Sequence, residues 1–156
     1  IKSFNSVFFN KNAILRIVGD GNQKDYLSKK YSSNIVKFIG KKVSKELIQE
    51  YHNSSVLICP SVFEPWGLVV NEALSSGVPV IASREVGAVY DLIHKKETGF
   101  VIENQDQLEK SMLELFKNPR KLLMYSRNAE GLMRNYWNYR LYKKSLQKAI
   151  NRICEG

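Results

Sequence analysis

The segment PSVFEPWGLVVNEALSSGVPVIAS, residues 60–83, decides the fold because a loop, a helix and a buried strand follow one another in it. The helix is predicted over 67–77. The Val- and Ile-rich run 78–83 is typical of a strand that is covered on both faces. Glu64 precedes the helix and Glu72 lies within it, eight positions later. An apolar segment that carries an acidic residue before its helix and another within it is a candidate binding site.

The alternation of strand and helix continues on both sides of this segment. Further strands are predicted at 12–19, 34–40, 55–60 and 98–102, and further helices at 22–31, 45–54 and 88–93, with Ser44 as a candidate helix cap. Short apolar strands separated by helices indicate an α/β fold with one parallel sheet between two helical layers. Ligands of such sheets bind beyond the carboxyl ends of the strands, so the loops after Val18, Ile39, Pro60 and Ser83 should line one cleft.

The two ends of the chain differ from this pattern. Residues after 104 are predicted to be helical, with a new helix at Asn118-Pro119. The last helix carries an apolar stripe and a basic flank. The sequence before the first predicted strand is typical of the second half of a strand-to-strand crossover. We therefore expect residues 1–156 to form one domain whose first strand and loop lie upstream of Ile1.

Composition and charge limit the class of protein and its partners. The 156 residues are 44% hydrophobic, and no apolar run has the roughly 18 residues of a membrane span. The formal net charge of +9 favours a phosphate-bearing ligand, an anionic membrane or another polyanion, unless it reflects genomic composition alone. Cys59 and Cys154 are far apart, which suits a reducing, cytoplasmic compartment. His52 and His94 lack metal-ligand spacing.

The predicted helix has an apolar side and a polar side. At about 100° per residue, one side gathers Val69, Val70, Ala73 and Leu74, whereas the other gathers Leu68, Asn71, Glu72 and Ser75. The first amide groups, of Gly67, Leu68 and Val69, have no partner within the helix and favour an anion such as a phosphate.

The two carboxylates need hydrogen-bond donors, which sugar hydroxyls supply. An acid on each side of an anion site would suit a sugar, a phosphate and a second sugar, as in a nucleotide sugar. The alternative is that Glu64 caps the helix and Glu72 is an ordinary solvated residue.

The segment resembles the donor-binding segment of family 4 of the retaining glycosyltransferases, which have two Rossmann-like domains in the GT-B fold. The matching positions are Pro60, Ser61, Glu64, Gly67, Leu68, Glu72, Ala73, Gly77, Pro79, Val80 and Ile81. IVGDG (17–21), VKFIG (36–40) and ETGFVI (97–102) match as well. The resemblance covers nearly the whole chain and implies the C-terminal, nucleotide-sugar-binding half of such an enzyme.

The resemblance also implies a role for each matching residue. Glu64 would contact hydroxyls of the transferred sugar, and Glu72 would bind the ribose. Backbone amides at Gly67, Leu68 and Val69 would hold the diphosphate, with Ser61 beside them. The remaining donor-binding positions implied are Gly19, Gly21, Phe38, Ile39 and Gly40, the last three beside the nucleobase.

The implied reaction is retaining transfer of a hexose from a UDP- or GDP-sugar, without a metal or other cofactor. By analogy, the chain would suit an enzyme of bacterial surface-glycan biosynthesis, such as that of O-antigen or capsule. Its partners would then be a nucleotide sugar and a lipid-linked or polysaccharide acceptor. The Arg and Lys that neutralise the leaving diphosphate in this family belong to a loop upstream of Ile1, and the acceptor-binding N-terminal domain is also outside the chain. We therefore expect the chain alone to bind a donor and to transfer nothing.

Three alternatives remain open at this point. A sugar-nucleotide epimerase of the same fold and a non-catalytic binding module would share the motif. The basic last helix would either pack against the N-terminal domain or lie on the inner face of the plasma membrane. Nucleic acid is not expected as a partner, because no stacking or basic-groove motif accompanies the charge.

Overall fold

The structure is a computed structural model that describes residues 1–154. Its elements in chain order are α1 (Lys2–Phe8), β1 (Leu15–Val18), α2 (Lys24–Tyr31), β2 (Val36–Gly40), α3 (Ser44–His52), β3 (Leu57–Cys59), α4 (Leu68–Ser75), β4 (Val80–Ser83), α5 (Val89–Leu92), β5 (Gly99–Ile102), α6 (Gln105–Lys117), α7 (Pro119–Asn135) and α8 (Tyr139–Cys154). The predicted alternation of strands and helices is confirmed, although β1 is shorter than the apolar run that predicted it.

All strand pairs in the described range are parallel, but they form two sheets instead of the single predicted one. β1 pairs with β2, and β4 lies between β3 and β5. β3 has only three residues, and the β1–β2 register shifts between Ile17 and Val18. The α/β fold with Rossmann-like parallel strands is confirmed, whereas the single continuous sheet was wrong.

Two apolar clusters cover the two faces of β4. Val80 and Ala82 belong to one cluster with residues of α4, α5 and α7. Ile81, which lies between them, points to the other cluster with residues of α1 and α6. Alternate strand residues point to opposite faces, so β4 is buried on both sides and carries no polar residue before Ser83.

Two local predictions were wrong. Val69 is 41% exposed, because the buried stripe of α4 is centred on Val70 and Leu74 and Val69 lies at its edge in the first turn. Ser44 is not the cap of α3: Val43 occupies that position, and Ser44 is the first helical residue, with φ 49°. By contrast Asn118 caps α7, since its side chain accepts a hydrogen bond from the Lys121 amide at 3.1 Å.

The last helix is attached to the rest of the molecule mainly at its start. None of the α8 residues is buried. Just before it, Trp137 stacks on Trp66 with ring centroids 5.7 Å apart and planes inclined by 13°. Trp66 lies between Glu64 and the start of α4, so the stack joins the last helix to the predicted site.

Candidate functional site

The start of α4 is shaped by a glycine that no other residue could replace without strain. Gly67 caps the helix in the left-handed region, with φ 92°. A Cβ atom there would lie 2.7 Å from Cγ1 of Val86 and 3.3 Å from Cγ of Glu64. The glycine therefore allows the Glu64 loop and the loop after β4 to approach each other closely.

The Glu64 loop is held against the loop between β4 and α5 by three backbone hydrogen bonds. The Glu64 amide donates to the Glu85 carbonyl at 3.1 Å, the Gly87 amide to the Glu64 carbonyl at 2.9 Å, and the Ala88 amide to the Trp66 carbonyl at 2.8 Å. Glu64 also bridges Val86 in parallel, like a short strand. This arrangement fixes the backbone from which the Glu64 side chain projects.

Gly87 makes this docking possible, although the sequence pattern did not single it out as a site residue. A Cβ atom at Gly87 would lie only 2.1 Å from the Pro65 carbonyl oxygen. Its backbone has no unusual φ, so the requirement comes from close approach alone. Sequence reasoning missed it because the distance between two loops has no local signature.

Three amides at the start of α4 point to no partner within residues 1–154. The amides of Gly67, Leu68 and Val69 donate no hydrogen bond there, whereas the Val70 amide donates to the Gly67 carbonyl at 2.9 Å. The first turn holds no acidic residue, and no side chain caps it. Unpaired amides and the helix dipole favour an anion at this position, by about 0.3–1 kcal/mol at an exposed helix end.

Glu72 lies on the exposed side of α4, as predicted, but it is not free. The Tyr51 hydroxyl donates to its Oε2 atom at 2.8 Å. Tyr51 is only 9% exposed. Its burial, and to a lesser extent its hydrogen bond to Glu72, raises the pKa of the phenol above the ordinary value. Tyr51 therefore remains a protonated donor at neutral pH.

Tyr51 was missed by the sequence reasoning, although a signal was present. A buried tyrosine usually needs a partner for its hydroxyl group. Tyr51 follows Leu47 by one helical turn on the apolar side of α3, and both belong to the same cluster. The spacing of Leu47 and Tyr51 could have indicated the core side of this helix, but not where the hydroxyl group would point.

The glycines that follow β1 and end β2 face each other at the carboxyl edge of their sheet. The Gly19 amide donates to the Gly40 carbonyl at 2.9 Å, and both residues have positive φ, 132° and 78°. The Gly21 amide donates to the Asp20 carboxylate at 3.0 Å. Phe38 packs against a core cluster, and Ile39 and Gly40 are half-buried.

Ser61 is half-buried and is held from two sides. Its carbonyl accepts a hydrogen bond from the Ser83 hydroxyl, and its own hydroxyl lies 3.7 Å from the Cys59 sulfur. The next two residues, Val62 and Phe63, are exposed apolar side chains beside Glu64. The loop after β3 therefore offers a polar group, an apolar surface and a carboxylate in sequence.

The site residues form three groups: Gly19 lies with Gly40, Glu72 with Tyr51, which was not predicted, and Glu64 with Gly67 and the loop after β4. No hydrogen bond or ion pair connects these groups within the described range. A cavity of about 950 Å³ lies elsewhere, between α5 and α7, and none of the predicted residues lines it.

Two further findings concern the described part of the chain. No cluster of three or more His, Cys, Asp or Glu residues there could hold a metal ion. No helix there has the length and apolar composition needed to cross a bilayer.

A family model and a curated relative both match the chain. The model of the glycosyl transferases group 1 family matches residues 1–131. The sulfoquinovosyl transferase SQD2 of Arabidopsis thaliana is 38% identical over 97 residues, which are 60% of this chain and 19% of that protein. The chain thus spans only about a fifth of this relative.

Solved structures share the fold at lower identity. WaaG, a glycosyltransferase involved in lipopolysaccharide biosynthesis, superposes with a TM-score of 0.79 at 20% identity, over 92% of this chain and 40% of that one. Anabaena HepE in complex with UDP superposes with a TM-score of 0.76 at 20% identity, over 90% of this chain and 41% of that one. At this identity the likeness concerns the fold alone: the chain has the Rossmann-like α/β fold of its GT-B glycosyltransferase neighbours, of which it covers about 40%.

Proposed function

Because the chain belongs to the glycosyl transferases group 1 family, we propose that it is the nucleotide-sugar-binding half of a retaining glycosyltransferase of family 4. The observation that carries the proposal is the start of α4. Unpaired amides begin a helix that follows a strand of a parallel sheet, with Glu64 before them in the sequence and Glu72 after them. An anion flanked by two groups of hydroxyls fits this arrangement.

Each part of the donor is assigned to one group of residues. The diphosphate lies at the amides of Gly67, Leu68 and Val69, beside Ser61, and Glu72 accepts hydrogen bonds from the ribose. Glu64 accepts them from the transferred sugar and orients it. The nucleobase lies against the backbone of Phe38, Ile39 and Gly40, while Gly19 and Gly21 keep their loop clear of it.

The proposed chemistry is transfer of a hexose with retention at the anomeric carbon, without a metal. Catalysis then comes from positioning and from stabilising the charge on the departing diphosphate. The chain itself supplies amides and a helix dipole. The remaining positive charge comes from an Arg and a Lys of an upstream loop, so the chain alone binds donor and does not transfer sugar.

UDP is the first donor nucleotide to test. A structural neighbour, HepE, has been solved in complex with UDP and in complex with UDP-glucose. The neighbour WaaG is involved in lipopolysaccharide biosynthesis. These names support a UDP-sugar donor and a role in bacterial surface glycans. We extend the proposal to O-antigen or capsule, a lipid-linked or polysaccharide acceptor and a cytoplasmic site of action by analogy alone.

The separation into two sheets supports the proposal that the domain has one more strand than residues 1–154 contain. Side chains of β1 and β3 enter the same apolar cluster, yet no ladder joins these two strands in the part of the chain that the structure describes. We infer that a strand upstream of Ile1 would pair between them. Its loop would bring the Arg and the Lys to the carboxyl edge of the sheet, beside the start of α4.

We assign the apolar stripe of α8 to contact with the N-terminal domain instead of a membrane. The stripe consists of Tyr139, Tyr142, Leu146 and Ile150, all exposed. The Trp66–Trp137 stack fixes the start of the helix beside the donor loop, where a second domain would close the cleft. Cosedimentation of the chain with phosphatidylglycerol vesicles would contradict this assignment and favour membrane contact.

Calorimetric titration of UDP, GDP and ADP, followed by their common sugar conjugates, tests the proposal. One nucleoside diphosphate should bind more tightly than the other two, which also identifies the base. No heat at millimolar concentrations of all three would contradict donor binding by this chain. Conversion of a sugar conjugate without any acceptor would instead indicate an epimerase.

A further inference from the structure

We propose that Tyr51 is a positioning residue that holds the Glu72 carboxylate for recognition of the ribose. The inference rests on the proposed function, because it assigns a further residue to the same site. It starts from the 2.8 Å hydrogen bond that the Tyr51 hydroxyl donates to Oε2 of Glu72. Neither the motif nor the comparisons assign Tyr51 a role.

The two partners differ greatly in freedom. Glu72 is an exposed residue on α4, and an unrestrained glutamate side chain there would sample many rotamers. Tyr51 has only two side-chain torsions, and its ring is buried in the cluster that also contains Val70, Ala73 and Leu74 of α4. A ring packed against the helix that carries Glu72 is a rigid anchor for the carboxylate.

The hydrogen bond leaves the carboxylate able to accept more. An ionised carboxylate is an acceptor with about four lone-pair sites on its two oxygens. Tyr51 occupies a site on Oε2, and no residue within 1–154 donates to Oε1. Ribose hydroxyl groups are donors, so Oε1 is available to them in an orientation that Tyr51 has already fixed.

A purely structural role for the bond makes a different prediction. If Glu72 only satisfied a buried phenol, loss of the hydroxyl would lower thermal stability and would affect all nucleotides equally. If Tyr51 positions Glu72, loss of the hydroxyl must specifically reduce the preference for a ribonucleotide over its deoxy analogues. The ratio of two affinities therefore separates the roles.

The experiment measures the affinity of UDP, 2′-deoxy-UDP and 3′-deoxy-UDP for the 156-residue chain, or of the corresponding GDP or ADP series if that base binds more tightly. The variants are Tyr51→Phe and, as a matched control, Tyr125→Phe, which removes the hydroxyl of another buried tyrosine. Wild type should prefer the ribonucleotide roughly ten- to hundredfold, as expected for a hydrogen bond to a charged group.

Tyr51→Phe should reduce this ratio about threefold or more and leave the affinity for the deoxy analogue unchanged, whereas Tyr125→Phe should keep the ratio. In a Glu72→Ala background, Tyr51→Phe should have no further effect on UDP binding, because the two residues act as a unit. This second comparison uses a background in which the hydrogen bond is already absent.

Three results would overturn the inference. A wild-type ratio in Tyr51→Phe, with only a lower melting temperature, would reduce Tyr51 to a structural role and leave the proposed function intact. An undiminished effect of Tyr51→Phe in the Glu72→Ala background would show that Tyr51 does not act through Glu72. If wild type binds no nucleoside diphosphate, the proposed function fails, and the role of Tyr51 fails with it.

Discussion

Replacing Gly87 by alanine should destabilise the protein through one identifiable contact. The new Cβ atom would lie 2.1 Å from the carbonyl oxygen of Pro65, 3.0 Å from its carbonyl carbon and 3.3 Å from Cα of Trp66. All three are backbone atoms and cannot rotate away as the end of a side chain would. The loop that carries Glu64 must therefore move away from the loop after β4.

The magnitude follows from the hydrogen bonds that this movement breaks. Separation of the loops costs the bond from Gly87 to Glu64, at 2.9 Å, and the bond from Ala88 to Trp66, at 2.8 Å. At about 1 kcal/mol each, with further loss of apolar packing, the free energy of unfolding should fall by roughly 2–3 kcal/mol. For a domain of this size the melting temperature should fall by about 4–12 °C.

A second glycine provides a matched control with the opposite sign. Gly131 lies within α7, and a Cβ atom there would meet no atom within 4 Å. Gly131→Ala should raise stability by up to about 1 kcal/mol, because alanine favours a helix interior. Thermal unfolding followed by circular dichroism measures both variants. A melting temperature of Gly87→Ala equal to or above that of wild type would refute the close approach of the two loops.

Two further predictions concern the carboxylates and their partner. Glu64→Ala should abolish the affinity that the sugar of a UDP-sugar adds to that of UDP and leave UDP binding unchanged in calorimetry; an equal loss for UDP alone would contradict the assigned role. Because the pKa of Tyr51 is raised in the folded state, the unfolded state loses that proton first, and stability should fall as the pH rises above about 10. Urea unfolding of wild type between pH 9 and 11 should show a steeper loss than that of Tyr51→Phe, and parallel curves would contradict the buried phenol.

The fold was predictable where the signal is local. The apolar runs at β2, β4 and β5 and the start of α7 at Asn118-Pro119 depend on residues that are neighbours in the sequence. The separation of the sheets is consistent with the strand expected upstream of Ile1, but its place between β1 and β3 was not predictable, because strand pairing depends on partners distant in the sequence. The exposure of Val69 was missed because a helical wheel gives a direction but not the extent of the surface that the helix covers.

The site was predictable in its residue types more than in its contacts. The motif singled out Glu64, Gly67 and Glu72 as site residues, and their roles remain predictions; Glu64 lies in the loop before α4, Gly67 caps this helix and Glu72 lies within it. Tyr51 and Gly87 were missed because each acts through a distant segment, one by a hydroxyl group and the other by the lack of a side chain. Such roles become visible only when the loops are placed in space.

The measurement that tests the central claim most directly is calorimetric titration of the preferred nucleoside diphosphate into wild type, Glu72→Ala and Glu130→Ala. Glu130 is an exposed glutamate on α7, paired with Arg134 on the surface, and its loss should not affect binding. We expect binding to wild type and Glu130→Ala, and a loss of about 1.5–3 kcal/mol in binding free energy for Glu72→Ala. Equal affinity of all three proteins would contradict the assignment of the ribose to Glu72, and with it the nucleotide-sugar site at the start of α4.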